Sequence, residues 1–372
     1  IMVLSCFSGL TFSVGAETSG DYGYKVLDDG TVSITKYKGT DTDVTIPSEI
    51  DGISVTVIDK YSFEKNNKIE NIIIPNGVAR IKEGAFAECS NLLNVDIPDS
   101  VITIGKMAFF WCVNLLNIKI PKSVAYIGEY AFCNCRSITD ITIPIGVTKL
   151  EKSIFSHCYD LKSVKIPDGI ISIEQGAFYQ CSSLTAVTIP NSVTSIKNGA
   201  FAFCRNLESV DMSNSIKLME DEVFYGCSSL KEVSIPTNID SISDGMFYKC
   251  ESLENITIPT NITKIGSESF SYCKNIKKII IPESITVIGS YAFYECSGLT
   301  EIEIPRSITN IQAGTFCGCS DLEKFIIPDT VTNIGDFAFV KCNKLKKIVI
   351  PKSVLSIGAY AFGFNQDKES IA

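Results

Sequence analysis

The stretch AFYECSGLTEIEIPRSITNI, from Ala292 to Ile311, decides the fold, because its residue types return at fixed offsets along the chain. It comes back as AFYQCSSLTAVTIP from Ala177 to Pro190 and as AFAFCRNLESVDM from Ala200 to Met212. All 13 prolines share one column, from Pro47, Pro75 and Pro98 to Pro351. From Pro75 onward every step is 23 residues except the 46 between Pro190 and Pro236, where Ser213 stands at the midpoint. The period persists where the proline is lost. Fixed self-similarity at about 20 to 50 residues marks a solenoid, which grows by stacking coils rather than by enlarging one core. The 372 residues are therefore expected to form one stack, not two or three globular domains.

Each unit follows P-x-x-V/I-x-x-I-x-x-x-A-F-x-x-C-x-x-L-x-x-V/I-x-I, with local variations. Its last positions, as in LTAVTI from Leu184 to Ile189, alternate apolar and polar residues, the pattern of a half-buried strand. Val187 and Ile189 then face inward, and Ala186 and Thr188 face out. The following proline cannot donate a ladder hydrogen bond, so the strand ends and the chain turns. Val193 and Ile196 are too closely spaced for a long helix and predict a short extended corner. Glycine follows in one of two places, as Gly84 or as Gly105, in 11 of 14 units and never in both, as if one backbone site needed positive φ or close approach. AFYQC predicts a single helical or 3₁₀ turn back to the next strand. Stacked in register at about 4.8 Å per coil, about 14 coils would extend roughly 65 Å. The expected architecture is a right-handed solenoid with a continuous parallel sheet on one face, short turns or 3₁₀ segments on the other, and an unbroken inner column from Phe63 to Phe362.

With AFYECSGLTEIEIPRSITNI as its strongest match, the array resembles the BspA-like, treponemal-type leucine-rich repeat over about Ile53 to Asn365. The preceding segment YKVLDDGTVSITKYKGTDTDVTIPSEIDGISV, from Tyr24 to Val55, resembles the N-terminal cap of such proteins. Asp29-Gly30 lies between alternating runs and independently predicts a β-hairpin turn. A cap is needed because the first coil would otherwise expose its apolar edge. The resemblance implies a secreted or surface-bound binding protein, since such arrays occur in surface proteins of mucosal and gut microbes and of some protists, several of them implicated in adhesion. It transfers no particular ligand.

The domain reading is a partial signal peptide over 1–16, a cap with a hairpin over 17–52, and the repeat array over 53–372. The first segment is apolar and ends in Val14-Gly15-Ala16, like a cleavage site, without a basic n-region. The last coil begins at Pro351 and stops at Ala372, as expected for a chain cut inside its array. A net charge of -9, with both signs scattered along the repeats, argues against nucleic acid. No membrane span is expected. A monomer is expected.

Catalytic patterns are absent. The single histidine, His157, neighbours Cys158, but a Cys-His pair needs both side chains within reach and a third orienting group. His157 is expected to be a turn residue. Glu220, Asp221 and Glu222 are consecutive and do not share a face, so they are not expected to hold a metal. Twelve of 15 cysteines form a 23-residue column from Cys89 and Cys112 to Cys342. Secretion favours disulfides, but parallel Cβ vectors in an in-register stack do not converge. Buried free thiols are expected, with local pairs and metal binding as alternatives. Cys133 with Cys135 and Cys317 with Cys319 make C-x-C pairs too far apart to form one metal site. No cofactor is expected.

The leading functional expectation is a secreted or cell-surface adhesion protein that engages an extracellular protein or glycan through its open sheet. The alternatives are a stalk presenting a further domain and, least favoured, the non-catalytic part of an enzyme. Outward strand positions are small or polar in the middle, as at Thr188 and Asp211. Toward the C-terminus they become Lys278 and Ile280, Glu301 and Glu303, Lys324 and Ile326, Lys347 and Val349. Apolar side chains beside lysine offer buried area and electrostatic steering, which makes these eight residues the expected docking strip. The irregular coil from Ser213 to Phe224, with Met212 and Met219 where Ile is usual, is the expected weakest joint.

Overall fold

The structure is a computed structural model that describes residues 17–363, so the segment 1–16 read as a signal peptide lies outside the described residues. The array is a β-solenoid of about 14 coils without a helix among the described residues. Each regular coil contributes a strand of two to four residues to one face and a two-residue strand to another, as with Ala186–Ile189 and Ser195–Ile196. Equivalent residues pair across coils in parallel register, Ala186 with Ser209 and Ser195 with Leu218. Proline starts the turn between the two strands: the Val193 amide donates to the Pro190 carbonyl at 3.0 Å. Hydrogen-bonded pairing on the longer-strand face runs in segments, Asp43–Thr45 to Asn117–Ile118, then Asp140–Thr142 with Ser163–Lys165, then Ala186–Ile189 to Asn255–Thr257, then Lys278–Ile280 with Glu301–Glu303. The uninterrupted sheet expected from the period is thus a series of short ladders.

The return segment corrects the helical or 3₁₀ expectation. The amides of Ala177, Tyr179 and Cys181 donate to carbonyls three residues back at 3.0–3.1 Å, whereas those of Gly176, Phe178 and Gln180 donate into the next coil at 2.8–3.0 Å. A 3₁₀ turn would use every amide locally; here every second one ties coils together. That alternation needs left-handed residues, and φ is 60° at Gly176 and 59° at Gln180. The two glycine places also answer two needs rather than one. The later place is left-handed in every coil, whether occupied by Gly199 (φ 58°) or by Tyr130 (φ 57°). The earlier place is one of close approach: a Cβ on Gly105 would lie 2.6 Å from the Lys82 carbonyl carbon.

The core follows the columns. Phe63 to Phe316 are fully buried, and the rings from Phe63 to Phe362 stack with centroids 4.9–5.9 Å apart. Burial contributes about 1.5–3 kcal/mol for each such side chain. The widest step, 5.9 Å, separates Phe201 from Phe224 in the irregular coil. In that coil the short-strand ladder also stops at Leu218–Met219, while the longer strands continue from Ser209–Met212 to Glu232–Ser234. The column cysteines are buried, and each thiol donates to the Phe carbonyl 26 residues earlier, from Cys89 to Phe63 at 3.1 Å through Cys342 to Phe316 at 3.2 Å. Burial pushes the Cys89, Cys204 and Cys296 thiols up to about 12, so these groups stay protonated donors.

At the N-terminal end, β1 (Glu17–Ser19), β2 (Tyr22–Val26) and β3 (Val32–Tyr37) form an antiparallel set. Gly30, at φ 78°, supplies the left-handed residue of the β2–β3 turn. After β4 (Asp43–Thr45), β5 (Glu49–Ile50) pairs antiparallel with β6 (Ile53–Ile58), while β3 pairs parallel with β6. Tyr37 stacks on Phe63 at 5.2 Å and so extends the aromatic column into this end.

Asp59 joins the end to the first coils, with Lys25 at 2.6 Å and Lys82 at 3.0 Å. Burial alone would raise its carboxyl; hydrogen bonds from Lys25, the Lys60 amide and Lys82 outweigh burial and hold it at about 2. Because the folded value lies below the ordinary 3.8, this stabilisation is present above about pH 4 and disappears as pH falls through about 2. Hydrogen exchange of β2 and β3 should therefore accelerate across that window in the parent chain. In Asp59→Asn the hairpin should already exchange faster at neutral pH, and the acid step should flatten. An unchanged acid step in the variant would contradict this account.

Candidate functional site

The eight residues of the expected docking strip are exposed, as strand alternation requires. Lys278, Ile280, Glu301, Glu303, Lys324, Ile326, Lys347 and Val349 are all exposed, and the intervening Ile279, Ile302, Phe325 and Ile348 are buried. They form two rows across successive coils. Lys278 pairs with Glu301 and Ile280 with Glu303 in strand register, and an isolated bridge joins Glu301 to Lys324. Ile280, Ile326 and Val349 are 73%, 78% and 61% exposed, values at which each presents most of its apolar side chain to solvent.

The charges differ from a plain lysine flank. The Lys278 ammonium donates to the Glu301 carboxylate, which holds the lysine above its ordinary value and the glutamate below it. Lys278 is thereby tied along its row, and Glu303 sits between the two isoleucines of the other. The strip has an apolar row with one carboxylate next to a row of three lysines and one glutamate, Glu301, which stands between Lys278 and Lys324.

Further toward the N-terminus the same face forms a trough of about 760 Å³, with Ala186, Thr188, Ser209, Asp211, Glu232 and Asn255 in its lining. Its small side chains were legible as outward positions, but their joint concavity depends on the stacking. On the opposite, turn side a second aromatic chain runs from Tyr179 through Phe203, Tyr225, Tyr248 and Tyr272 to Tyr294, with neighbouring centroids 4.4–5.6 Å apart. Sequence reasoning missed it because its members come from two adjacent columns, one and two residues after the core Phe. The Tyr and Phe enrichment of those two columns was the available signal.

The other candidates separate. His157 is a left-handed turn residue, φ 62°, whose Nδ1 shares a 2.8 Å hydrogen bond with Ser156 Oγ. The Cys158 thiol donates instead to the Phe132 carbonyl at 3.2 Å, so no Cys-His pair forms. Glu220 accepts from Lys197 at 2.9 Å, and Asp221 accepts from the Asp244 amide at 3.1 Å; the acidic run is divided among different partners. Among the described residues no group of three or more His, Cys, Asp or Glu is placed to hold a metal ion. Among them, too, no helix is long and apolar enough to cross a membrane.

Comparison with known families agrees with the coil geometry. The BspA type leucine rich repeat region, a pattern of 6 copies, matches residues 56–181, 148–277 and 240–369. The chain belongs to the BspA-type leucine-rich repeat family. Among solved structures, a leucine-rich repeat protein from Bacteroides ovatus is 30% identical, with a TM-score of 0.80 over 92% of this chain and 90% of that one. A leucine rich cell surface protein from Faecalibacterium prausnitzii is 27% identical, with a TM-score of 0.64 over 96% of this chain and 99% of that one. The pneumococcal vaccine antigen PcpA, 17% identical over 95% of each chain with a TM-score of 0.55, shares the fold. A comparison with curated proteins gave no match. Membership of the BspA-type family suggests a protein-interaction role.

Proposed function

We propose that this BspA-type array is a secreted or cell-surface binding protein that engages an extracellular protein through the C-terminal part of its open sheet face. The observation that carries the reading is the row of Ile280, Ile326 and Val349, apolar and exposed on nearby coils beside Lys324 and Lys347. Exposed apolar side chains in one row supply area that a partner can remove from water, and the adjacent lysines steer an acidic surface toward it. Surface placement is supported by the Faecalibacterium relative, which is described as a cell surface protein. A binding rather than catalytic role is supported by the relatives, which are repeat proteins, and by His157 and Cys158, whose side chains are engaged with different partners.

Surface plasmon resonance over immobilised extracellular matrix proteins and mucins tests the reading. Replacing Ile280, Lys324, Ile326 and Lys347 together by Ser should weaken saturable binding by more than about tenfold, because such losses concentrate in a few central contacts. Equivalent changes at Thr188 and Asp211, in the polar trough, should leave it within about twofold. Equal losses from both sets, or no saturable binding to any surface, would refute the assignment.

A further inference from the structure

The turn side carries a notch of about 330 Å³ between the coils of Tyr130 and Glu222, with Tyr179, His157, Gln175 and Asn198 among its lining. Its origin is visible in the left-handed column. Tyr130, Ser153, Gly176, Gly199 and Glu222 occupy equivalent places in successive coils, so three small residues stand in a row between two large ones. Two of the other three glycines in this column are roofed by an aromatic ring. The Tyr61 ring fills the place a Cβ on Gly84 would take, and the Tyr291 ring does the same over Gly314. Over Gly176 the nearest atoms are Ser153 Oγ at 3.3 Å and the Tyr179 Cβ at 3.5 Å, and over Gly199 only the Ala202 Cβ at 3.7 Å. Gly176 and Gly199 thus lack the ring that covers Gly84 and Gly314, while a Cβ on Gly245 would meet the Glu222 Cγ at 3.3 Å.

We propose that this notch binds a neutral pyranose unit of a glycan, seated over Gly176 and Gly199 against Tyr179. The aliphatic C–H face of a sugar ring carries partial positive charge and packs on the negative face of an aromatic ring. Around its edge a sugar presents hydroxyls that both donate and accept. The lining matches that demand with the Gln175 and Asn198 amides, the Lys152 ammonium, the Glu222 carboxylate and His157. His157 has Nδ1 committed to Ser156 and leaves Nε2 for a hydroxyl. Burial, reinforced by the Arg136 guanidinium, holds the imidazole below its ordinary value and so keeps it neutral. Lys152 and Glu222 bring one charge of each sign, which favours a neutral ligand over a phosphorylated or sulfated one. An aromatic side chain of a protein partner would fit the shape but leave most of these polar groups unmatched. The volume lies at the lower end of the range of small-ligand pockets, about 300–1,000 Å³.

The experiment uses the full chain and calorimetric titration with cellohexaose, laminarihexaose, mannohexaose and chitohexaose. N-acetyl-tyrosinamide serves as the ring-shaped peptide probe. Gly176→Tyr fills the notch with a residue that the column accepts elsewhere, since Tyr130 and Tyr291 have φ 57° and 55°. At least one saccharide should bind saturably, and both Gly176→Tyr and Tyr179→Ala should weaken it more than about tenfold, a change of about 1.4 kcal/mol. Ile326→Ser, on the other face, should leave saccharide binding unchanged, which separates this site from the sheet strip. Should Gly176→Tyr fail to fold, Tyr179→Ala alone decides. The proposal is overturned if no saccharide binds at about 10 mM, if binding survives a folded Gly176→Tyr or Tyr179→Ala, or if only N-acetyl-tyrosinamide binds.

Discussion

Phe178→Ala will lower the opening free energy of its own and adjacent coils by about 3–5 kcal/mol. Phe178 is fully buried between Phe155 at 5.6 Å and Phe201 at 5.2 Å, so the truncation removes both stacking contacts and leaves a cavity that a rigid coil cannot collapse. In a solenoid each repeat touches only its neighbours, so the loss should be confined. Native-state hydrogen exchange should show faster opening from about the Phe155 coil to the Phe201 coil, with the coils of Phe86 and Phe316 protected as before. A uniform loss along the array would show that the stack opens as one unit and would contradict the nearest-neighbour account.

The second large effect distinguishes two glycines that look alike in sequence. Gly105→Ala should cost about 3 kcal/mol, because its Cβ would press on backbone atoms of Lys82 and Glu83 that cannot move without separating two coils. Gly199→Ala should cost only about 1–2 kcal/mol, the strain of a left-handed L residue. Its Cβ would meet nothing closer than 3.7 Å. Urea unfolding of the two variants, followed by circular dichroism, checks the order. Equal losses, or a larger loss at Gly199, would show that left-handed strain rather than coil approach governs the glycine pattern.

Much of the fold was legible because a repeated coil prints its contacts as columns. The Phe, Cys, Leu and Ile columns predict which side chains are buried, and alternation at Val187 and Ile189 predicts their sense. Both hold, at 3% exposure for each. The eight residues of the proposed docking strip are outward and exposed, as the same alternation predicts. The pairing between them was less accessible. Lys278 and Glu301 are 23 residues apart, and their ion pair depends on register and on which rotamers the neighbouring rows allow. The return segment was misread as helical or 3₁₀ because the local string AFYQC carries no sign that alternate amides will be spent on the next coil. The same limit hid the donation of each column thiol to a Phe carbonyl 26 residues back, a contact between consecutive coils.

By itself, the sequence determined the period, the solenoid class, the buried columns and the face on which every outward strand residue stands. Those properties follow from the spacing of residue types, and spacing is linear information. Only the tertiary structure decided where pairing breaks into separate ladders, why glycine occupies two different places, how Asp59 joins the first coils to the hairpin, and where Gly176 and Gly199 stand unroofed on the turn side. Each of these depends on distances between atoms in different coils, which are set by how closely successive turns approach and not by the pattern within any one of them.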